Sequence, residues 1–227
     1  MNVERTMTKT VLLTGFEPFN GAAINPSWEA VRALDGWSGP DFQVVARQLP
    51  CVFGRANIVL LEAVDALKPD IVIACGQAGG RPEISVERIA INVDDALFLD
   101  NAGQQPIDAP IAADGPAAYF GTLPIKAIVR ALRVRGLKSG VSQTAGTFVC
   151  NHVFYGLMHH AAGRVAAGAT PLKAGFIHVP FLPEQAAERP ERPPSMALDD
   201  IVDGLRIAVE VAVAEESDVV EAGGATH

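Results

Sequence analysis

The sequence predicts a three-layer α/β/α sandwich built around a twisted, mostly parallel (mixed) sheet. Three observations carry this. Short β-branched apolar runs, such as Ile71–Cys75 and 174–179 (A-G-F-I-H-V), have the composition of strands buried on both faces of a parallel sheet. Between them lie stretches whose apolar residues recur at helical spacing. The segment from Phe42 to Cys75 then reads as strand, helix, strand, the βαβ unit that makes a sheet parallel.

Taken in order, Val11 to Thr14 is a first buried strand, ending at Gly15. The loop from Gly15 to Pro26 places Phe16 and Phe19 just past a strand end, where open α/β sheets bind ligands. A satellite core under the loop is the other reading for these rings. Asn25-Pro26 reads as N-cap and first helical residue of a helix through Trp28, Val31 and Leu34. Phe42–Leu49 is the second strand, and 58–67 is an amphipathic helix striped by Ile58, Leu60, Leu61, Val64 and Leu67. After Ile71–Cys75 comes G-Q-A-G-G-R (76–81), which allows close backbone approach at the sheet edge but has neither P-loop nor G-x-G-x-x-G spacing. Ser85 to Val93 alternates well enough for one further strand carrying Glu87. Residues 99–124, rich in Asp, Gly and Pro, read as a long loop or irregular hairpin. A basic amphipathic helix follows over 125–137, a short strand over 140–143, then a turn and helix around Cys150. Five prolines between Pro180 and Pro194 mark a loop, and 198–214 a closing helix. The chain is expected to be a single domain, 1–227, with about 217–227 as a frayed tail.

Composition narrows the function. Hydrophobic content of 49% with 19% charged residues excludes disorder. A net charge of -8 argues against a general nucleic-acid or anionic-membrane surface, leaving small molecules or peptides as partners. No secretory signal is visible in the first residues, and the three cysteines, Cys51, Cys75 and Cys150, form no disulfide or metal spacing. A cytoplasmic protein is expected. With no H-E-x-x-H or comparable ligand set, neither metal nor cofactor is expected.

The chemistry gathers on T-A-G-T-F-V-C-N-H-V-F-Y-G-L-M-H (144–159). Small and hydroxyl residues permit a tight turn, and a helix follows, so Cys150 falls at a helix N-terminus. There unpaired N–H groups and the helix dipole favour the thiolate, lowering a pKa ordinarily at ~8.5. A small buried hydrophobe is the alternative for a free cysteine. A thiol nucleophile needs a base, and His178 interrupts an apolar strand near its carboxyl end, where an imidazole needs a partner or a task. Glu87, also in an apolar strand, is the carboxylate most in need of a partner. His152, His159 and His160 read as core or surface residues of the helix, and Cys75 as a buried, inert competitor.

The segments 76–92 (G-Q-A-G-G-R-P-E-I-S-V-E-R-I-A-I-N) and 144–159 resemble the two signatures of pyroglutamyl peptidase type I, the pyrrolidone-carboxylate peptidases. Residues 14–31, 115–118 and 175–185 (G-F-I-H-V-P-F-L-P-E-Q) resemble the same family in the same order, so nearly the whole chain is covered. The resemblance implies a cysteine exopeptidase that hydrolyses the amide after an N-terminal 5-oxoproline through a thioester, with Cys150, His178 and Glu87 as its triad. It implies Phe16, Phe19 and Phe148 on the lactam ring, and backbone groups of Gln77 and Val149 on its polar edge. Two departures stand out: Cys51 in place of a threonine at the pocket edge, and Leu97 in place of an arginine found in several bacterial relatives. The implied partners are N-terminally pyroglutamylated peptides and copies of the chain itself, as a homotetramer. A catalytically weak or inactive pyroglutamyl-peptide binder is the alternative that Leu97 keeps open, and a phosphate-using enzyme on the same sandwich is a third reading.

Overall fold

The computed structural model describes residues 8–224. Residues 1–7, most of the 1–9 segment read for a secretory signal, and the last residues of the expected tail (225–227) lie outside them. The chain runs β1 (Lys9–Phe16), α1 (Pro26–Arg32), β2 (Phe42–Leu49), α2 (Arg55–Leu67), β3 (Ile71–Gln77), β4 (Ile84–Glu87), β5 (Ile89–Ile91), β6 (Ala118–Phe120), α3 (Ile125–Val134), β7 (Ser139–Ser142), α4 (Val149–Ala166), β8 (Lys173–Val179), α5 (Pro183–Ala187) and α6 (Leu198–Ala214).

Six strands form the main sheet in the order β2-β1-β3-β8-β4-β7. Strands β2, β1, β3 and β8 are parallel, β4 runs antiparallel to β8, and β7 follows β4. The predicted sandwich is present, with a mixed sheet.

Strand parity decides which face each side chain joins. Val11, Leu13, Ile73, Cys75, Val86, Ile177 and Val179 pack into one core with α1, α3 and α6. Leu12, Val72, Ala74 and Phe176 pack into the other with α2 and α4. His178 and Glu87, one residue from Ile177 and Val86, are therefore on the α4 side. Cys75 is on the far side.

Two expectations about elements are corrected. The single strand over 85–93 divides at Arg88: its main-chain N–H donates to the Ser142 carbonyl and its carbonyl accepts from Gly121, so the chain leaves the main sheet. It then pairs as β5 with β6, a strand inside the long loop. Periodicity carried no mark of this bend, because alternation continues on both sides of it. The tail is likewise not free through 223. Both carboxylate oxygens of Asp218 accept from Lys126 N–H, and Oδ1 also from Ala127 N–H. Gly223 carbonyl accepts from Arg88. Helix α3 starts after Pro124 without a cap of its own, so its unpaired N–H groups take a carboxylate from the chain's end.

Among the described residues no helix is long and apolar enough to cross a membrane.

Candidate active site

A cavity of about 820 Å³ opens at the carboxyl ends of β3 and β8, lined in part by Phe19, Gln77, Arg81, Phe148, Cys150 and His178. Several pieces of local structure supply them. Phe148 is the N-cap residue of α4, and Cys150 is the second helical residue. No side chain caps that terminus, so its first-turn N–H groups are left to the cavity end of the helix. The helix is held there by Asn151, whose amide both accepts from Ile91 N–H (3.0 Å) and donates to the carbonyls of Ile91 (2.9 Å) and Val93 (3.0 Å). It pairs the main chain around the end of β5 as a neighbouring strand would. Gly76, beside His178 in the β3–β8 register, leaves room for the sulfur: a β-carbon there would stand 2.8 Å from Cys150 Sγ.

His178 is buried, and its Nδ1 lies 2.7 Å from Glu87 Oε1. With Nδ1 engaged, Nε2 is the ring nitrogen left for the cavity. Glu87 is buried too, and its Oε1 accepts a second bond, from Arg81 Nη1 at 2.7 Å. Its Oε2 has no hydrogen-bond partner among the described residues. Arg81 also reaches Ser142 Oγ (3.2 Å) and the Thr144 carbonyl (2.9 Å).

The expectation of a lowered Cys150 pKa is reversed. Burial pushes the thiol up, to about 12, Glu87 adds to the rise, and Arg81 opposes it. Desolvation works against the thiolate that the helix terminus favours. The sulfur rests as a thiol and needs a base.

The sequence profile of the pyroglutamyl peptidase family matches residues 9–215. The chain belongs to the pyroglutamyl peptidase family. Pyrrolidone-carboxylate peptidase from Cupriavidus taiwanensis is 64% identical over 218 residues, covering 96% of this chain and 99% of that protein. The crystal structure of pyroglutamyl peptidase I from Bacillus amyloliquefaciens has a TM-score of 0.89 and 46% identity, and covers 95% of this chain and 100% of that one. A mutant pyrrolidone carboxyl peptidase from Pyrococcus furiosus has a TM-score of 0.86 and 44% identity, with 90% and 98% covered. As a member of the pyroglutamyl peptidase family, the chain is a cysteine-type hydrolase.

Of the residues predicted for the site of this family member, Cys150, His178, Gln77, Phe19 and Phe148 meet at the cavity, and Glu87 stands directly behind His178. Phe16 does not line it. Its ring is 2% exposed and packs on Phe176 at 6.4 Å, beneath the wall, because β1 continues through it as strand. The Val149 side chain is also in the core, so only its main chain is near the cavity end of α4. Cys51 is buried outside the cavity wall, and Leu97, 89% exposed, points to solvent.

Two participants escaped the sequence reading. Phe98 lines the cavity and packs on Phe148 at 4.8 Å and on Phe19 at 6.3 Å. The L-F-L triplet 97–99 in an otherwise polar loop was its one signal. Arg81 was read only as part of a glycine-rich turn. Gln77 is oriented by Gln185, whose amide nitrogen donates to Gln77 Oε1 at 3.0 Å and to the Ile24 carbonyl at 3.2 Å.

Proposed function

We propose that this chain removes N-terminal pyroglutamyl residues from peptides with Cys150 as nucleophile, His178 as acid and base, and Glu87 as the carboxylate that orients His178. The observation that carries the reading is the buried 2.7 Å contact between His178 Nδ1 and Glu87 Oε1, which turns Nε2 to the cavity that also holds Cys150. Because the resting sulfur is a thiol, His178 takes its proton as Cys150 attacks the pyroglutamyl carbonyl. The uncapped N–H groups at the start of α4 stabilise the oxyanion. His178 then protonates the departing amine, the C–N bond breaks, and a thioester remains. Water, deprotonated by His178, hydrolyses the thioester to release pyroglutamate and the free thiol.

The lactam offers two apolar ring faces, one N–H and one C=O. Phe19, Phe98 and Phe148 supply an aromatic wall for the faces, and main-chain groups near Gln77 and Val149 supply the polar contacts. A proline ring, lacking the lactam oxygen, leaves such groups unpaired and is disfavoured. Three unpaired cysteines accord with a reducing, cytoplasmic setting. Assembly into a homotetramer follows the family resemblance, with the proline-rich loop as a contact. Sedimentation of the purified chain tests it.

The deciding assay is release of a chromophore from a pyroglutamyl amide beside the matching prolyl amide, for wild type and Cys150→Ser. Pyroglutamyl-selective release that disappears in Cys150→Ser is expected. Release that survives the substitution would sink the assignment of the nucleophile, and no release by folded, reduced wild type would leave the chain a binder.

A further inference from the structure

Around the sulfur lie an imidazole in the cavity, His178 from β8, and behind the wall a carboxylate and a second thiol: Glu87 from β4 and Cys51 from the segment after β2. None of these brings a fixed positive charge. Two arginines line the cavity, Arg81 and Arg189. Arg189 is occupied elsewhere, its guanidinium stacked 4.5 Å from the ring centre of Phe181. Leu97, the position where an arginine was expected, carries no charge and points outward.

Arg81 is built into the site. Its Nη1 donates to the same Glu87 oxygen that takes His178 Nδ1, both at 2.7 Å. Its Nη2 donates to the Thr144 carbonyl at 2.9 Å, where the turn into α4 begins, and Ser142 Oγ, itself bonded to that carbonyl at 3.0 Å, takes a further bond from Nη1. The guanidinium fork thus spans the carboxylate and the turn that carries the nucleophile, a geometry that a point-charge ammonium cannot copy in full. The Arg81 side chain remains partly open to the cavity, while that of Glu87 is fully buried.

We infer that Arg81 is a positioning residue for the nucleophile: it anchors Glu87 beneath His178, fixes the Thr144–Cys150 turn, and brings to the site a positive charge that eases loss of the Cys150 proton. It acts through Glu87 and the turn and takes no bond to substrate. Burial and Glu87 both raise the thiol's proton affinity and Arg81 is the charge that lowers it, which agrees with this role. The inference rests on the triad reading above.

The test is the pH dependence of Cys150 alkylation by iodoacetamide, which needs no peptide substrate. Wild type, Arg81→Met, Arg81→Lys and His178→Ala are compared, with Cys150→Ser giving the background from the other thiols. In Arg81→Met the alkylation midpoint is expected to rise by about one pH unit, so that the rate near neutral pH falls about tenfold. Arg81→Lys is expected to keep the midpoint near that of wild type while kcat falls more than KM rises, because charge is kept and the fork is lost. A purely structural role would lower alkylation equally at all pH values. An unmoved midpoint in Arg81→Met overturns the inference, and so does a full-unit rise in Arg81→Lys, which decides the matter if Arg81→Met fails to fold. A profile moved by His178→Ala but not by either Arg81 variant rejects Arg81 alone. A profile moved by none of them rejects the triad reading itself.

Discussion

Gly76 and the sulfur of Cys150 approach so closely that a β-carbon on Gly76 would lie 2.8 Å from Sγ and 2.8 Å from Cζ of Phe176. The glycine is needed for space. Its replacement by alanine must displace either the nucleophile or an aromatic ring at the heart of the α4 core. We expect Gly76→Ala to reduce kcat/KM by at least about tenfold and to cost about 1–3 kcal/mol of stability, the range for overpacking a dense interior. Steady-state kinetics with the pyroglutamyl amide and a urea midpoint check both numbers. Unchanged kinetics would show that the thiol is not confined at this spot.

His152, two residues beyond the nucleophile, forms a separate buried pair. Its Nδ1 is 2.8 Å from Asp94 Oδ2, and its Nε2 accepts from Gly54 N–H at 2.9 Å, which fixes a neutral ring with the proton on Nδ1. Phe53, next to Gly54, packs edge-on against both His152 (5.5 Å) and Phe148 (5.3 Å). Asp94 Oδ1 already lacks a partner among the described residues, so His152→Ala leaves a buried carboxylate with neither oxygen bonded to them. A loss of about 3 kcal/mol is expected, partly restored by adding Asp94→Asn, and denaturant titrations around the double-mutant cycle measure it. Because Phe53 backs the aromatic wall, KM should rise more than kcat falls.

Cys75 is 0% exposed on the α1/α3/α6 side, and burial holds its thiol pKa well above the ordinary value. Above ~8.5, the unfolded chain's value, the unfolded state gives up this proton while the native state keeps it. The unfolded state then binds fewer protons, so stability falls as pH rises. For one such thiol the slope approaches about 1.4 kcal/mol per pH unit. Urea midpoints measured from pH 8 to pH 10 should therefore decline in wild type, and less steeply in Cys75→Ala. Identical slopes would mean that Cys75 does not contribute.

The carboxylate of Asp218 serves as the missing cap of α3. Asp218→Ala is expected to lower stability by about 1 kcal/mol and Asp218→Asn by less, since the amide oxygen still accepts. Thermal unfolding of the two variants beside wild type gives the comparison.

The layered fold was legible because strand and helix each leave a period in the sequence, and the bounds of β2 and α6 match it residue for residue. The meeting of Glu87 and His178 was legible for a related reason. Glu87 and His178 are polar residues in apolar strands, and a buried charge or imidazole announces a partner. What escaped were properties that depend on how distant segments meet. Arg81 sits in a turn where arginine is unremarkable until Glu87 is seen 2.7 Å away. Phe98 enters the cavity because its loop is pinned by the Asp94–Ala109 bridge, a pairing that no local pattern encodes. The thiol's proton affinity was misjudged because helix polarity is visible in sequence and desolvation is not.

Strand β8 lies between β3 and β4 in the sheet although it is the last strand made. During synthesis the β2-β1-β3 and β4-β7 portions have no sheet neighbour in common until residues 173–179 leave the ribosome. A nascent chain short of that point carries Cys150 and Glu87 but no histidine between them. Such non-local closure is also the slow kind. The topology thus couples two events: the strand that closes the sheet is the one that brings His178 beside Glu87.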